Sequence, residues 1–398
     1  MKKTVSNSRF VGAYLGLTLF CLSTFAWASQ SSPPPPPRVS VQPVVPPDPK
    51  GDDPVPEDAV KAILSAFDHY EVVGMSAGHA DKDMDDFVLD LVRNPAFSRK
   101  VNDIVVECGN SLYQPILDRY IAGKNVPLNE VRKVWRNTTQ PMCGVSGFYD
   151  QFFPLIRRIN MTLPPARRIR VLAADPPIDW PEIKNRSDLM RYDIQRDTNI
   201  ASIMEKRVFE KHRKALMLFG LDHLFHGVKD SAVGIYEQKF PGKTLVIAKH
   251  NGFGLDTPYA KYNEQFETRM SAWQVPSLVI LKGTWLSDLL GKLPSDIFLF
   301  STKKGPDGKD VTSSVPDDVD KVTASTVDAY LYLGPGRLQL SESVPAYIFL
   351  DKKYVRELRR RATIVQSFVY DQTEPSNIFK TDNSRFFNGG LPPAAPSR

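Results

Sequence analysis

Cysteine is scarce in this 398-residue chain: there are three, and Cys21 lies in an apolar N-terminal stretch. The other two, Cys108 and Cys143, are too few to make a metal site on their own. In an oxidising compartment they are able to pair, but sequence does not say whether their Cβ atoms meet. A second long apolar run is also missing. Past residue 28 nothing is long enough to span a bilayer, so the folded part is expected to be soluble, with no stable membrane span. Charge of one sign is lacking as well. The formal net charge is +6, and +3 once Lys2, Lys3 and Arg9 are set aside, too weak a field to argue for nucleic acid as a partner. The basic clusters Arg157-Arg158, Arg167-Arg168-Arg170 and 356–361 read as solvated helix faces. No internal repeat is present.

What the chain does have begins at its N-terminus. Lys2, Lys3 and Arg9 precede a largely apolar run over 11–27, and Ala26-Trp27-Ala28 is a small-x-small cleavage site. These are the three parts of a signal peptide, so residues 1–28 predict export to a periplasmic or secreted location. Phe20 before Cys21 argues against a lipoprotein cysteine. Residues 29–56 follow as a linker. Pro33 to Pro37 is an unbroken run and six more prolines follow, a composition that favours extended polyproline II and buries no core. An α/β domain is expected over 57–387, with a disordered tail over 388–398.

Within that domain, short apolar runs alternate with longer helical patterns. The expected strands cover 71–75, 103–108, 169–173, 215–219, 244–248, 277–281 and 329–333. They are rich in Val, Ile and Leu with little in/out alternation, as for strands buried on both faces. Helical patterns cover 85–93, 112–122, 147–160 and 198–214. The alternation predicts an α/β fold: a central, mostly parallel sheet flanked by helices.

Ligands of open α/β sheets bind beyond the carboxyl ends of the strands, so the residues after each strand matter most. Ser76, Gly78 and His79 follow the first strand. Glu107 closes the second, and Asp175 and Asp179 follow the third. Asp222, His223 and His226 follow the fourth; Lys249, His250 and Asn251 follow the fifth. Four of the six histidines thus lie just past a strand. In a parallel sheet His79, Glu107, Asp175, His223 and His250 share one edge. Imidazole with carboxylate suits general acid–base work near neutral pH, or ligation of zinc, manganese or iron. Glu107 ends the apolar run Ile104-Val105-Val106, where a carboxylate without a partner is costly to bury. Arg196-Asp197, before the helix from Thr198, offers that partner.

At these residues the chain resembles the erythromycin-esterase-like, haem-binding-uptake and Tiki group. The matching order is a strand with loop His79, a strand ending in Glu107, Arg196-Asp197 with Ala201, then Gly220-Leu221-Asp222-His223. The late strand from Ala329 to Pro335 also fits, and the likeness spans about 71–335. It implies a parallel sheet with a site at the C-terminal strand edge. In the esterase branch a loop histidine is the proposed base; in the Tiki branch Gly-x-x-His motifs and a Glu serve metal-dependent peptide cleavage; in the haem-uptake branch the fold binds haem. The chain departs from the first motif, usually Gly-Glu-x-His, which here reads Ser76-Ala77-Gly78-His79. Ala77 neither orients an imidazole nor holds a metal; Asp81, Asp83 and Asp85 in the following turn are the available substitutes.

The function expected is therefore hydrolysis of an ester or amide in a small molecule or peptide, with His79, Glu107, Arg196 and His223 as the catalytic set. His79, Glu107 and His223 are equally the expected ligands if a divalent metal takes part. The alternatives are a haem- or metal-binding exported protein, with His79, His223 or exposed Tyr330 and Tyr332 as axial ligands, and a non-catalytic member with a lapsed site.

Overall fold

The apolar runs become strands because both of their faces have a core to enter. The structure is a computed structural model that describes residues 44–252, 259–293, 301–304, 310–313 and 322–365; the signal-peptide, proline-linker and tail readings lie outside them, apart from 44–56. The strands are β1 (Glu57–Asp58), β2 (Val72–Ser76), β3 (Asp103–Asn110), β4 (Arg170–Asp175), β5 (Ala215–Phe219), β6 (Thr244–Lys249), β7 (Ser277–Ile280), β8 (Ser301–Lys304), β9 (Asp310–Ser313) and β10 (Ala329–Tyr332). Eight of them form one sheet in the order β1-β7-β10-β6-β2-β5-β3-β4, and β8 and β9 make a separate antiparallel pair. From β10 through β4 every neighbouring pair is parallel.

Successive side chains of a strand enter opposite layers. Val73, Met75, Ile104, Val106, Leu216 and Leu218 pack in one core, while Val72, Val105, Ala215, Met217 and Phe219 pack in the other. The first core is covered by α1 (Ala59–Ala66), α2 (Lys82–Arg93), α3 (Phe97–Lys100), α4 (Gln114–Ile121), α5 (Leu128–Arg136) and α6 (Phe148–Thr162). A smaller cluster holds α7 (Arg186–Asp193) through Leu189. The second core is covered by α8 (Arg196–Ile203), α9 (Ala232–Glu237), α10 (Ala260–Met270) and α11 (Trp285–Leu290). Finally α12 (Ala346–Leu350) and α13 (Lys352–Val365) pack through Ile348, Tyr354 and Leu358.

The sheet is mostly parallel, as expected, with one strand set against the rest, and two other expectations need correction. β7 runs antiparallel to β10 and to β1, so its end points away from the edge shared by the other strands. The single helix expected over 198–214 stops at Ile203, passes through a π turn over Met204–Val208 and a 3-10 turn over Phe209–Lys211, and ends at His212 in the left-handed region, φ 50°. The basic clusters are not merely solvated faces. Arg170 and Arg213 each grip the fully buried Asp103 with two hydrogen bonds of 2.7–2.9 Å, joining the starts of β3, β4 and β5 by charge-assisted forks. Arg157 donates to the carbonyls of Tyr120, Gly123 and Lys124, capping the C-terminus of α4. Arg361 is buried.

Cys108 and Cys143 form a disulfide, 35 residues apart, which ties β3 to the segment before α6. Closing a loop of this size restrains the unfolded chain by about 3–4 kcal/mol in the chain-entropy account. A Cys108→Ser/Cys143→Ser variant should unfold at lower urea concentration by that free energy; a shift below about 1 kcal/mol would mean that the crosslink is of little structural consequence.

Candidate active site

Five segments meet beyond the ends of β2, β3 and β5. After β2, the Ala77 amide donates to the carbonyl of Phe219 (2.8 Å), holding the loop against the end of β5. Ala80 adopts φ 56°, a left-handed conformation that costs a residue with a Cβ about 1–2 kcal/mol. Asp81 then caps α2 by accepting from Met84 N (3.1 Å), and its second oxygen takes the buried Lys249 Nζ at 2.5 Å. His79 is fixed between these anchors, its side chain 25% exposed.

Glu107 sits where the β3–β4 register shifts, between Val106 and Asn110. Gly109 makes that irregularity possible, because a Cβ there would lie 2.7 Å from Ala173 Cα. The Glu107 carboxylate is buried and held from several sides. Oε1 accepts from Arg196 Nη2 at 2.6 Å, and Oε2 from the Gly220 amide at 2.8 Å. His79 Nε2 lies 3.4 Å and His223 Nε2 3.9 Å from Oε1. Burial alone would raise its pKa, but His79, Arg196 and His223 together hold it well below the usual carboxylate range.

Arg196 and Asp197 open α8 and serve opposite partners. Arg196 holds Glu107, while Asp197 Oδ1 faces His223 Nδ1 at 2.8 Å and accepts from the Ala232 amide at the start of α9. His223 is buried in the turn after β5. Burial pushes its pKa down, but Asp197, Asp222 and Glu107 outweigh that and raise it to about 9. Behind Arg196 lies buried Asp175, which accepts from the Thr139 amide and hydroxyl at 2.7 and 2.5 Å. Its Oδ1 is 3.6 Å from Arg196 Nε. Burial raises Asp175 to about 7, against the pull of Arg196 and Thr139.

The four residues expected from sequence thus stand together: His79, Glu107, Arg196 and His223. Asp175 supports them from behind. His250 goes elsewhere: it is fully buried, with Nδ1 2.8 Å from Tyr330 Oη and Nε2 3.3 Å from Glu267 Oε1. His226 bridges Glu237 and Asp328 at 2.8–3.0 Å, a tie across the second layer. Asp197, expected only as the neighbour of Arg196, and Thr139 lie outside the expected catalytic set. Asp197 had a signal, adjacency to Arg196; Thr139 had none. The carboxylate that Ala77 lacks is not restored by the following turn. Asp81 pairs with Lys249, Asp83 accepts from Leu340 N at 2.8 Å, and burial keeps the Asp85 carboxyl protonated up to about 9, with Glu342 adding to the effect.

These donors suit a divalent metal poorly. Both Glu107 oxygens are occupied by N–H groups, and the Arg196 guanidinium already supplies positive charge where a cation would sit. Among the described residues, the trio whose donor atoms come within 4.8 Å of one another is His79, Cys108 and Cys143, and both sulfurs are in the disulfide. Haem ligation by Tyr330 and Tyr332 is not supported either: the side chains expected to be exposed are buried, at 0% and 2%, because β10 lies inside the sheet.

No family profile and no curated protein matches the chain. Solved structures of similar fold include a Bacillus cereus protein, 11% identical over 71% of this chain and 94% of that one, with a TM-score of 0.42. Others are the erythromycin esterase EreC, a mutant in its open conformation, 12% identical over 68% and 92% with a TM-score of 0.39, and ChaN of Campylobacter jejuni, described with cofacial haem, 12% over 48% and 86% with 0.33. These are partial likenesses; the α/β architecture of the chain rests on its own mostly parallel sheet and flanking helices.

Proposed function

We propose that the chain is an exported hydrolase of an ester or amide, in a small molecule or peptide, with His79 as general base. The observation that carries this reading is the pairing of a partly open imidazole with a buried carboxylate that Arg196 and the Gly220 amide keep ionised. Glu107 orients His79, and His79 accepts a proton from water as the oxygen adds to the substrate carbonyl. Negative charge then develops on the carbonyl oxygen of the substrate. Arg196 and protonated His223 supply the positive field that favours it. Collapse expels the alcohol or amine, which takes the proton back from His79. The N-terminal segment with its Ala26-Trp27-Ala28 cleavage site supports the export part of the proposal.

The test is a panel of p-nitrophenyl esters and short peptides incubated with purified protein, beside His79→Ala. Turnover of at least one substrate by the wild type, lost in the variant, is expected. No turnover, or turnover indifferent to the substitution, removes the proposal.

A further inference from the structure

A cavity of about 840 Å³ lies beside α5, the turn at Trp180 and α13. It is within the range of small-molecule sites, and His79, Glu107, Arg196 and His223 do not line it. Eight of its sixteen lining residues are Lys or Arg, against two acids, Asp351 and Glu357. Those acids do not neutralise it. Glu357 is committed to Arg360 and Arg361 at 2.7 and 2.9 Å, and Asp351 stands 3.6 Å from Arg136. Among the described residues, no carboxylate pairs with Lys353 or Arg356, both exposed.

Arg136 makes the case stronger. It is only 8% exposed, its guanidinium stacks 4.3 Å from the Tyr354 ring centroid, and its Nε is buried without a hydrogen-bond partner. An unsatisfied, buried, charged donor is costly, and stacking on Tyr354 fixes the guanidinium at the wall of the cavity. Arg132 and Lys133 have Asp150 and Glu130 as partners at 2.9 and 2.8 Å, so the positive charge left for an anion is chiefly that of Lys353 and Arg356. We propose that this cavity binds a multiply charged oxyanion, a small molecule carrying phosphate or carboxylate groups. The site stands apart from the hydrolase reading and does not depend on it.

Isothermal titration of the full chain with inorganic pyrophosphate and, separately, with citrate tests the proposal and tells the two oxyanion sources apart. Saturable binding of at least one is expected, weakening as salt rises. Lys353→Ala/Arg356→Ala, both on the exposed face of α13, should weaken it by at least 10-fold. Arg136→Met should do the same, and the exposed pair keeps the test decisive if that variant fails to fold. His79→Ala should bind as the wild type does. Absence of binding to both anions at millimolar concentration overturns the proposal. So does binding that survives Lys353→Ala/Arg356→Ala, or that is lost with His79→Ala, since the anion would then occupy the other site.

Discussion

Glu107→Gln should abolish hydrolysis and destabilise the fold by about 3–5 kcal/mol, the usual cost of removing one partner from a buried ion pair. The substitution preserves shape, so no cavity contributes. It removes the charge that faces Arg196 at 2.6 Å, His79 at 3.4 Å and His223 at 3.9 Å. Arg196, 17% exposed, cannot reach bulk water without leaving α8. Asp175 does not compensate fully, because burial raises its own pKa to about 7. Glu107→Gln/Arg196→Gln, which removes both charges, should regain part of the loss. Urea unfolding of the three proteins checks this; a cost below about 1 kcal/mol for the single variant would show that the pair is not a structural centre. The sign with pH is also fixed. Glu107 has a folded pKa well below 4.5, so its contribution is complete above about 4.5 and is lost as pH falls through the folded value. The Gln variant should lack that part of the acid loss.

Much of this fold is readable in the chain because burial on both faces leaves a local mark. Ile104-Val105-Val106 and the run over 215–219 have no polar alternation, and each turns out to feed two separate cores. The site is readable for a related reason: strands that share a direction deliver what lies at their ends to one edge, where His79 and His223 follow β2 and β5 and Glu107 lies in the last half of β3. Direction itself leaves no such mark. β7 is as apolar as its neighbours, yet it is antiparallel, because nothing in Ser277–Ile280 records which way its partner runs. Long-range pairing is equally silent. Arg170 looks like any surface base until β4 and β5 bring it and Arg213 to Asp103. Thr139 and Asp175 are 36 residues apart and meet only through tertiary packing. Tyr330 and Tyr332, expected to be exposed, are buried because β10 lies inside the sheet and the second layer covers their face.

His79→Ala should lower kcat/KM by about 10²–10⁴, the range for losing a positioned base, and His223 should govern the alkaline side of the rate. Asp197, Asp222 and Glu107 raise His223 from 6.5 to about 9 against burial, so its imidazolium persists through neutral pH and the rate should fall as pH passes about 9. His223→Gln should lower the rate and remove that limb, because glutamine does not titrate. Stability moves in the same window. A histidine raised from 6.5 to about 9 contributes fully below pH 6.5 and loses the contribution between 6.5 and 9, on the order of 3 kcal/mol for His223 from its shift. His226, raised to about 9 by Asp328 and Glu237 against burial, has the same sign and window, so stability alone does not separate the two. Rate does. His226→Gln should reduce the alkaline loss of stability and leave the rate limb in place. A limb that disappears with His226→Gln, or that survives His223→Gln, would take the developing charge away from His223 and place it elsewhere on the sheet edge.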